Sequence, residues 1–183
     1  MANTTWILDT THSELQFKIK HLMISTVTGQ FNSFSGTAVT ERDDFSTAKV
    51  NFEADVNSIS TNNEQRDAHL TAGDFFDGEN FPKIIFKADR MDKAGDDEFM
   101  LSGILTIKGI SKEVKLIAEF GGITKDPWGN TRTGFSVTGK INRQDFGISF
   151  GAVSETGGVL LGDEVKIIAN VQLVKQVVEE LVA

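Results

Sequence analysis

The amino-acid sequence predicts an all-β fold, a single antiparallel barrel, on three observations. Apolar and polar residues alternate at period two in run after run, turns rich in Gly, Asp and Asn separate the runs, and one internal stretch breaks the rhythm with a helical period. The chain of 183 residues is long enough to bury a barrel core without disulfides. No composition shift or fixed repeat divides it, so residues 1–183 are read as one domain.

Trp6 to Asp9 is the opening strand. Leu15, Phe17 and Ile19, alternating with Glu14, Gln16, Lys18 and Lys20, form the second, and a third lies around Val27 to Val39. In the fourth, Val50, Phe52, Ala54 and Val56 alternate with Lys49, Asn51, Glu53 and Asp55. From Thr61 to Phe76 the period becomes helical, and Thr61-Asn62-Asn63-Glu64 has capping-box spacing, which predicts one or two short helices after the fourth strand region. Pro82 leads into the next strand, where its missing N–H does little harm. Ile84 to Ala88, Phe99 to Ile107, the alternating Val114, Leu116, Ala118 and Phe120, Phe135 to Ile141 and Val165 to Leu173 follow, with Lys93-Ala94-Gly95-Asp96 among the turns. About eight or nine strands suit an antiparallel barrel. Val177, Val178, Leu181 and Val182 have helix-like spacing, so the C-terminal end reads either as a docking tail or as a frayed terminus.

Composition removes several classes of function. There is no Cys, hence no disulfide framework, thiol nucleophile or Cys-based zinc site. A net charge of −8 without a visible basic patch argues against nucleic acid. No apolar run approaches the roughly 18 residues of a spanning helix, and the start lacks the basic and apolar regions of a signal peptide. A cytoplasmic location is therefore expected, or a periplasmic or secreted one if a leader has been removed. With 14 Phe, 2 Trp and no Tyr, the aromatic set suits a greasy interior.

Motifs for chemistry are sparse. His12, His21 and His69 would make a metal site with Asp9 or Asp67 only if the fold gathered them, and there is no His-x-His pair or His-Glu-x-x-His helix. No metal and no cofactor are expected. His12-Ser13 lacks a Gly-x-Ser-x-Gly elbow and reads as a turn-stabilising pair. Asp145-Phe146-Gly147 lacks the other parts of a kinase set and reads as a strand terminus where Gly147 permits a bend. Gly157, Gly158 and Gly162 read as a loop.

Several separated segments, taken in order, match one pattern. These are Trp6-Ile7-Leu8-Asp9, His12-Ser13, Phe17 to Met23, Gly29-Gln30-Phe31, Phe34-Ser35-Gly36, Ser58 to Asn62, Arg66 to Leu70 and Asp74 to Asp77. The later ones are Phe81 to Phe86, Gly103 to Gly109, Asn142 to Gly147 and Gly162 to Val165. With them the chain resembles the YceI-like family of lipocalin-like, polyisoprenoid-binding proteins over nearly its whole length. The resemblance implies an elongated eight-stranded antiparallel lipocalin-like barrel whose long internal pocket takes an isoprenoid chain. Many relatives carry a signal peptide, which this chain lacks.

The inward-facing Phe17, Ile19, Phe31, Phe52, Phe86, Leu105, Phe135 and Ile141 either line a tunnel or fill a core, and periodicity does not separate the two. The resemblance favours the tunnel, and each buried CH₂ of a ligand would contribute about 0.8 kcal/mol. Asn62, Arg66 and His69, at i, i+4 and i+7, would share a helix face. There Arg66 and His69 would grip a ligand head, or else Arg66 pairs with Asp67 or a loop carboxylate and pins the helix. The expected partner is a polyisoprenoid or other long-chain apolar ligand, and a second copy of the chain remains open. The leading reading is non-catalytic storage or transport of a quinone or polyprenyl lipid; the alternative is a stress-response enzyme using Arg66, Asp67 and His69. A protein-interaction scaffold is a weaker third.

Overall fold

The computed structural model describes residues 2–149 and 161–176. The alternating runs become β1 (Asn3–Leu8), β2 (Glu14–His21), β3 (Ser25–Phe31), β4 (Phe34–Glu41), β5 (Asp44–Asp55), β6 (Ile59–Ser60), β7 (Lys83–Lys93), β8 (Glu98–Ile107), β9 (Ile110–Lys125), β10 (Thr131–Asn142) and β11 (Leu161–Lys175), with one helix, α1 (Glu64–Leu70). All pairings are antiparallel. The order β1-β4-β5-β7-β8-β9-β10-β11 returns from β11 to β1, closing an eight-stranded ring, and β2, β3 and β6 extend it beyond β11 at one end.

Eleven strand segments make eight walls because three walls are each broken once. A 3₁₀ turn, Thr10–His12, separates β1 from β2; Asn32-Ser33 separates β3 from β4; a second 3₁₀ turn, Val56–Ser58, separates β5 from β6. The expected single strand from Val27 to Val39 is thus two strands. The breaks remain hydrogen-bonded. Asp9 N donates to Gln172 O at 2.8 Å and Gln172 N donates to Ser13 Oγ at 2.9 Å, so β11 keeps its partners across the first gap. Asn32 N donates to Ser58 O, and Asp55 N to Ser33 O, across the other two.

The helix is shorter than the period suggested and starts later. Asn62 sits at φ 63°, outside the helix, and Asn63 rather than Thr61 is the cap, its side chain accepting from Arg66 N. Thr61 instead belongs to the neighbouring turn: its N and Oγ1 both donate to Asp67 Oδ1, fastening α1 to β6. Past α1 the chain turns without further helix to Pro82. Lys108, in the β8–β9 turn, donates to Gly73 O at 3.0 Å, and Phe31 packs edge-on against Phe76. This segment therefore spans the side of the barrel that β6 leaves uncovered. Asp145-Phe146-Gly147 closes a 3₁₀ turn, Arg143–Phe146, rather than a strand, with Gly147 at φ 72° as its cap. Val177 to Val182, Gly157 and Gly158 lie outside the described residues.

One end of the barrel is sealed by rings. Trp6, fully buried, packs on Phe45 at 5.1 Å, and Phe45, Phe99, Phe120 and Phe135 stack among themselves at 5.0–6.5 Å. The Trp6 Nε1 donates to Thr40 Oγ1, which donates in turn to Arg42 O, so the seal contains a satisfied polar pair.

The same end is tied by Arg132 of β10. Its Nη1 donates to Asp9 at the β1 terminus and its Nε to Asp126 in the β9–β10 turn, each at 2.7 Å. Asp126 also accepts from the N–H groups of Trp128 and Asn130. Hydrogen bonds from Thr11 first, then Arg132 and His12, hold the Asp9 carboxyl well below the ordinary carboxylate range. The Arg132 bond, with the turn N–H groups, takes Asp126 from 3.8 down to about 2. A carboxyl whose folded pKa is depressed adds stability above its unfolded pKa and loses it as pH falls through the folded value. Thermal unfolding followed from about pH 5 to about pH 2 should therefore show a Tm that falls below about pH 4. In Asp126→Asn the Tm should be lower near pH 5 and fall less steeply, so that the two curves converge by about pH 2. Parallel curves would show that the ion pair does not drive acid sensitivity.

Candidate ligand-binding site

Inside the ring runs a cavity of about 480 Å³. Among the described residues its lining side chains are apolar apart from Gln16, His21, Thr37, Asn51, Arg66, His69 and Arg143, and none of these is a carboxylate. On β11 the lining positions run from Leu161 to Leu173. At about 3.3 Å per residue and a strand tilt near 40°, those 12 steps cover on the order of 30 Å along the axis. The cavity is slender, with Phe45 and Phe135 at its closed end.

Two of the lining phenylalanines lie against glycines of a neighbouring strand rather than toward the axis. Phe17 is paired across the ladder with Gly29, and its ring lies where a Gly29 Cβ would be, 2.2 Å from Cζ. Phe86 lies the same way over Gly103, 2.7 Å from the missing Cβ position. An inward glycine lets the ring lie flat on the wall, so aromatic surface is kept and the lumen stays open.

All ten residues singled out from the sequence line the cavity: Phe17, Ile19, Phe31, Phe52, Phe86, Leu105, Phe135 and Ile141 along the walls, Arg66 and His69 at the end covered by α1. Asn62 does not join them. Arg66 is exposed and makes no ion pair with Asp67 or a loop carboxylate among the described residues; its Nε and Nη2 donate to Thr61 Oγ1 and O at 2.7 and 2.6 Å. His69 approaches Asp74 at 3.7 Å and meets the ring of Phe75 edge-on. Asp67 is taken up by Thr61, and two positions apart on a helix it does not face the side of His69. The histidines are not gathered, because His12 is bonded to Asp9 beside the sealed end.

Among the lining residues beyond those ten are two basic ones, Arg143 and His21. Arg143 is buried, with Nε donating to Gly162 O, Nη1 to Ile148 O and Nη2 to Leu161 O, and it contacts Asp163 at 3.3 Å. It fastens the 3₁₀ turn after β10 to the start of β11. A 3₁₀ turn has no period-two signature, so alternation could not find it. His21, at the end of β2, continues the inward set Phe17 and Ile19 and was legible from that alternation. The arrangement has a dry apolar shaft, one aromatic floor and a wet cationic rim at the other end.

A family model described as the YceI-like domain matches residues 6–173. A UPF0312 protein of Staphylococcus aureus (strain N315) is 44% identical over 170 residues, covering 92% of this chain and 96% of the relative. Among solved structures, a Campylobacter jejuni YCEI protein superposes with TM-score 0.75 at 31% identity, covering 86% of this chain and 90% of that one. BcnA of Burkholderia cenocepacia does so with TM-score 0.79 at 21% identity, covering 90% and 98%. A polyisoprenoid binding domain from Saccharophagus degradans, implicated in plant cell wall breakdown, gives TM-score 0.71 at 13% identity over 93% and 98% of the two chains; these last two likenesses are of fold alone. With the family match running from the sealing Trp6 to the last cavity residue of β11, the chain belongs to the YceI-like family.

Proposed function

We propose that this protein binds one elongated isoprenoid lipid, of quinone or polyprenyl type, and stores or carries it without chemical change. The observation that carries the reading is the slender apolar shaft, floored by aromatic rings at one end and rimmed by Arg66 and His69 at the other. A prenyl chain of three isoprene units, about fifteen carbons, would gain roughly 12 kcal/mol by burial before the losses of association. The polyisoprenoid binding described for the Saccharophagus degradans domain of the same fold agrees with it. An apolar lining with Arg66 and Arg143 among its described residues suits an apolar tail with a neutral or anionic head.

Organic extraction of the purified protein followed by mass spectrometry should return close to one prenyl lipid per chain. Extracts dominated by straight acyl chains would replace the isoprenoid with another lipid class, and a chemically altered lipid accumulating with time would make the protein an enzyme.

Two glycine variants test whether the open shaft is what binds. In Gly29→Ala the three atoms nearest the new methyl all belong to the Phe17 ring, the far end of a side chain, so the ring must swing toward the lumen; bound lipid should fall several-fold while Tm changes little. Gly103→Ala also meets Lys87 O at 2.5 Å, backbone that cannot yield cheaply, and should lower stability by about 1–3 kcal/mol. Undiminished lipid in Gly29→Ala would place the ligand elsewhere.

Arg66 stands at a wet rim, so its grip on a head is weak. Arg66→Gln, which keeps a donor for Thr61, should reduce affinity for an anionic-headed prenyl lipid by about 0.5–1 kcal/mol and leave a neutral-headed one nearly unchanged. Equal losses for both, in parallel titrations, would remove Arg66 from the head site.

A further inference from the structure

The β2–β3 hairpin ends in Leu22-Met23-Ile24, three consecutive large apolar residues that are 39%, 63% and 83% exposed. Leu22 and Met23 both adopt left-handed backbone, φ 52° and 59°, and Ile24 N donates to His21 O. Two successive positive φ angles form the turn that Asn-Gly makes readily and bulky side chains disfavour. Local turn chemistry therefore argues against these residues, and so does their exposure. Their position gives them a use: His21 just before the tip and Val27 just after it line the open end of the cavity.

The outer face beside the tip is basic, on a chain of net charge −8. Lys18 of β2 lies opposite Lys166 of β11, which lies opposite Lys140 of β10, and Lys20 is on the same face two residues nearer the tip. Like charges placed opposite one another in a ladder are destabilising. Lys140 is relieved by Glu164 at 3.4 Å, whereas Lys18, Lys20 and Lys166 make no ion pair among the described residues. Across the opening, the segment after α1 carries exposed Asp74 and Glu79. The lip is thus apolar and basic on the hairpin side, whereas the helix side carries both signs, Arg66 and His69 beside Asp74 and Glu79.

We propose that the hairpin tip and the lysines beside it dock the open end of the barrel onto an anionic lipid bilayer, tilted so that the hairpin side enters the headgroups. Leu22, Met23 and Ile24 reach the acyl boundary while Lys18, Lys20 and Lys166 meet the lipid phosphates. The purpose of the docking rests on the lipid-binding reading: an isoprenoid tail then passes between bilayer and shaft without crossing water. Nothing else about the shaft demands such a tip.

The test is flotation of the purified protein with vesicles of phosphatidylcholine alone and with roughly one-third phosphatidylglycerol, neither containing isoprenoid. The wild type should float with the anionic vesicles, and much less at high salt or with phosphatidylcholine alone. The triple variant Leu22→Asn, Met23→Gly, Ile24→Thr gives the turn its preferred residues, so its Tm should be unchanged or higher while vesicle binding falls roughly tenfold or more. Lys18→Gln with Lys166→Gln should weaken only the anionic case. Wild-type binding by the triple variant, or equal binding to both vesicle types, overturns the docking. So does a dimer of the wild type that the triple variant dissociates, because the tip would then belong to a second copy. Organic extracts taken in parallel keep the two readings apart: prenyl lipid retained without vesicle binding removes only the docking, and vesicle binding with empty extracts removes only the shaft.

Discussion

Fifteen residues of β11 present more backbone along one edge than β1 can pair. β1 takes only Leu173 to Lys175, so the rest of that edge must find donors and acceptors elsewhere, because backbone buried without a partner is costly. β2 takes Leu161 to Asn170, and Asp9 N with Ser13 Oγ serves Gln172 in between. The long shaft, the open side under α1 and the projecting hairpin all follow from that division. A barrel closed by β1 alone would be short and would have no lip.

Within that frame, two kinds of side chain do opposite work. Rings at the sealed end stack on one another and fill the section, whereas Phe17 and Phe86 along the shaft lie over glycines and leave it open. Phenylalanine serves both purposes because it carries no polar atom needing a partner; only its cross-strand neighbour differs. The ion pairs of Arg132 with Asp9 and Asp126 sit at the sealed end, and the described lining residues of the cavity include no carboxylate.

The alternation at Phe17 and Ile19, and at Val50 and Phe52, placed the walls and their inward faces, because a pleated strand admits only one buried set. It kept Trp6 to Asp9 apart from the strand of Leu15, Phe17 and Ile19, with His12-Ser13 as a turn pair between them, but it did not show the break at Asn32-Ser33 within Val27 to Val39. Capping chemistry misled at Thr61: the spacing to Glu64 is right, but Asn62 in left-handed backbone shifts the cap to Asn63 and turns Thr61 toward Asp67. Arg143 was invisible because its three backbone acceptors come from Ile148, Leu161 and Gly162, brought to it only by the folded chain.

By itself the sequence determined an antiparallel barrel, its family and the identity of the wall residues, since each of these is carried by local period or by ordered motifs. Whether the wall residues enclose a void was decided in three dimensions. Packing depends on which residue stands across the ladder, and Gly29 opposite Phe17 is twelve positions away in the chain yet in contact in the sheet. Register sets that partnership, and register is a property of the closed barrel rather than of either strand.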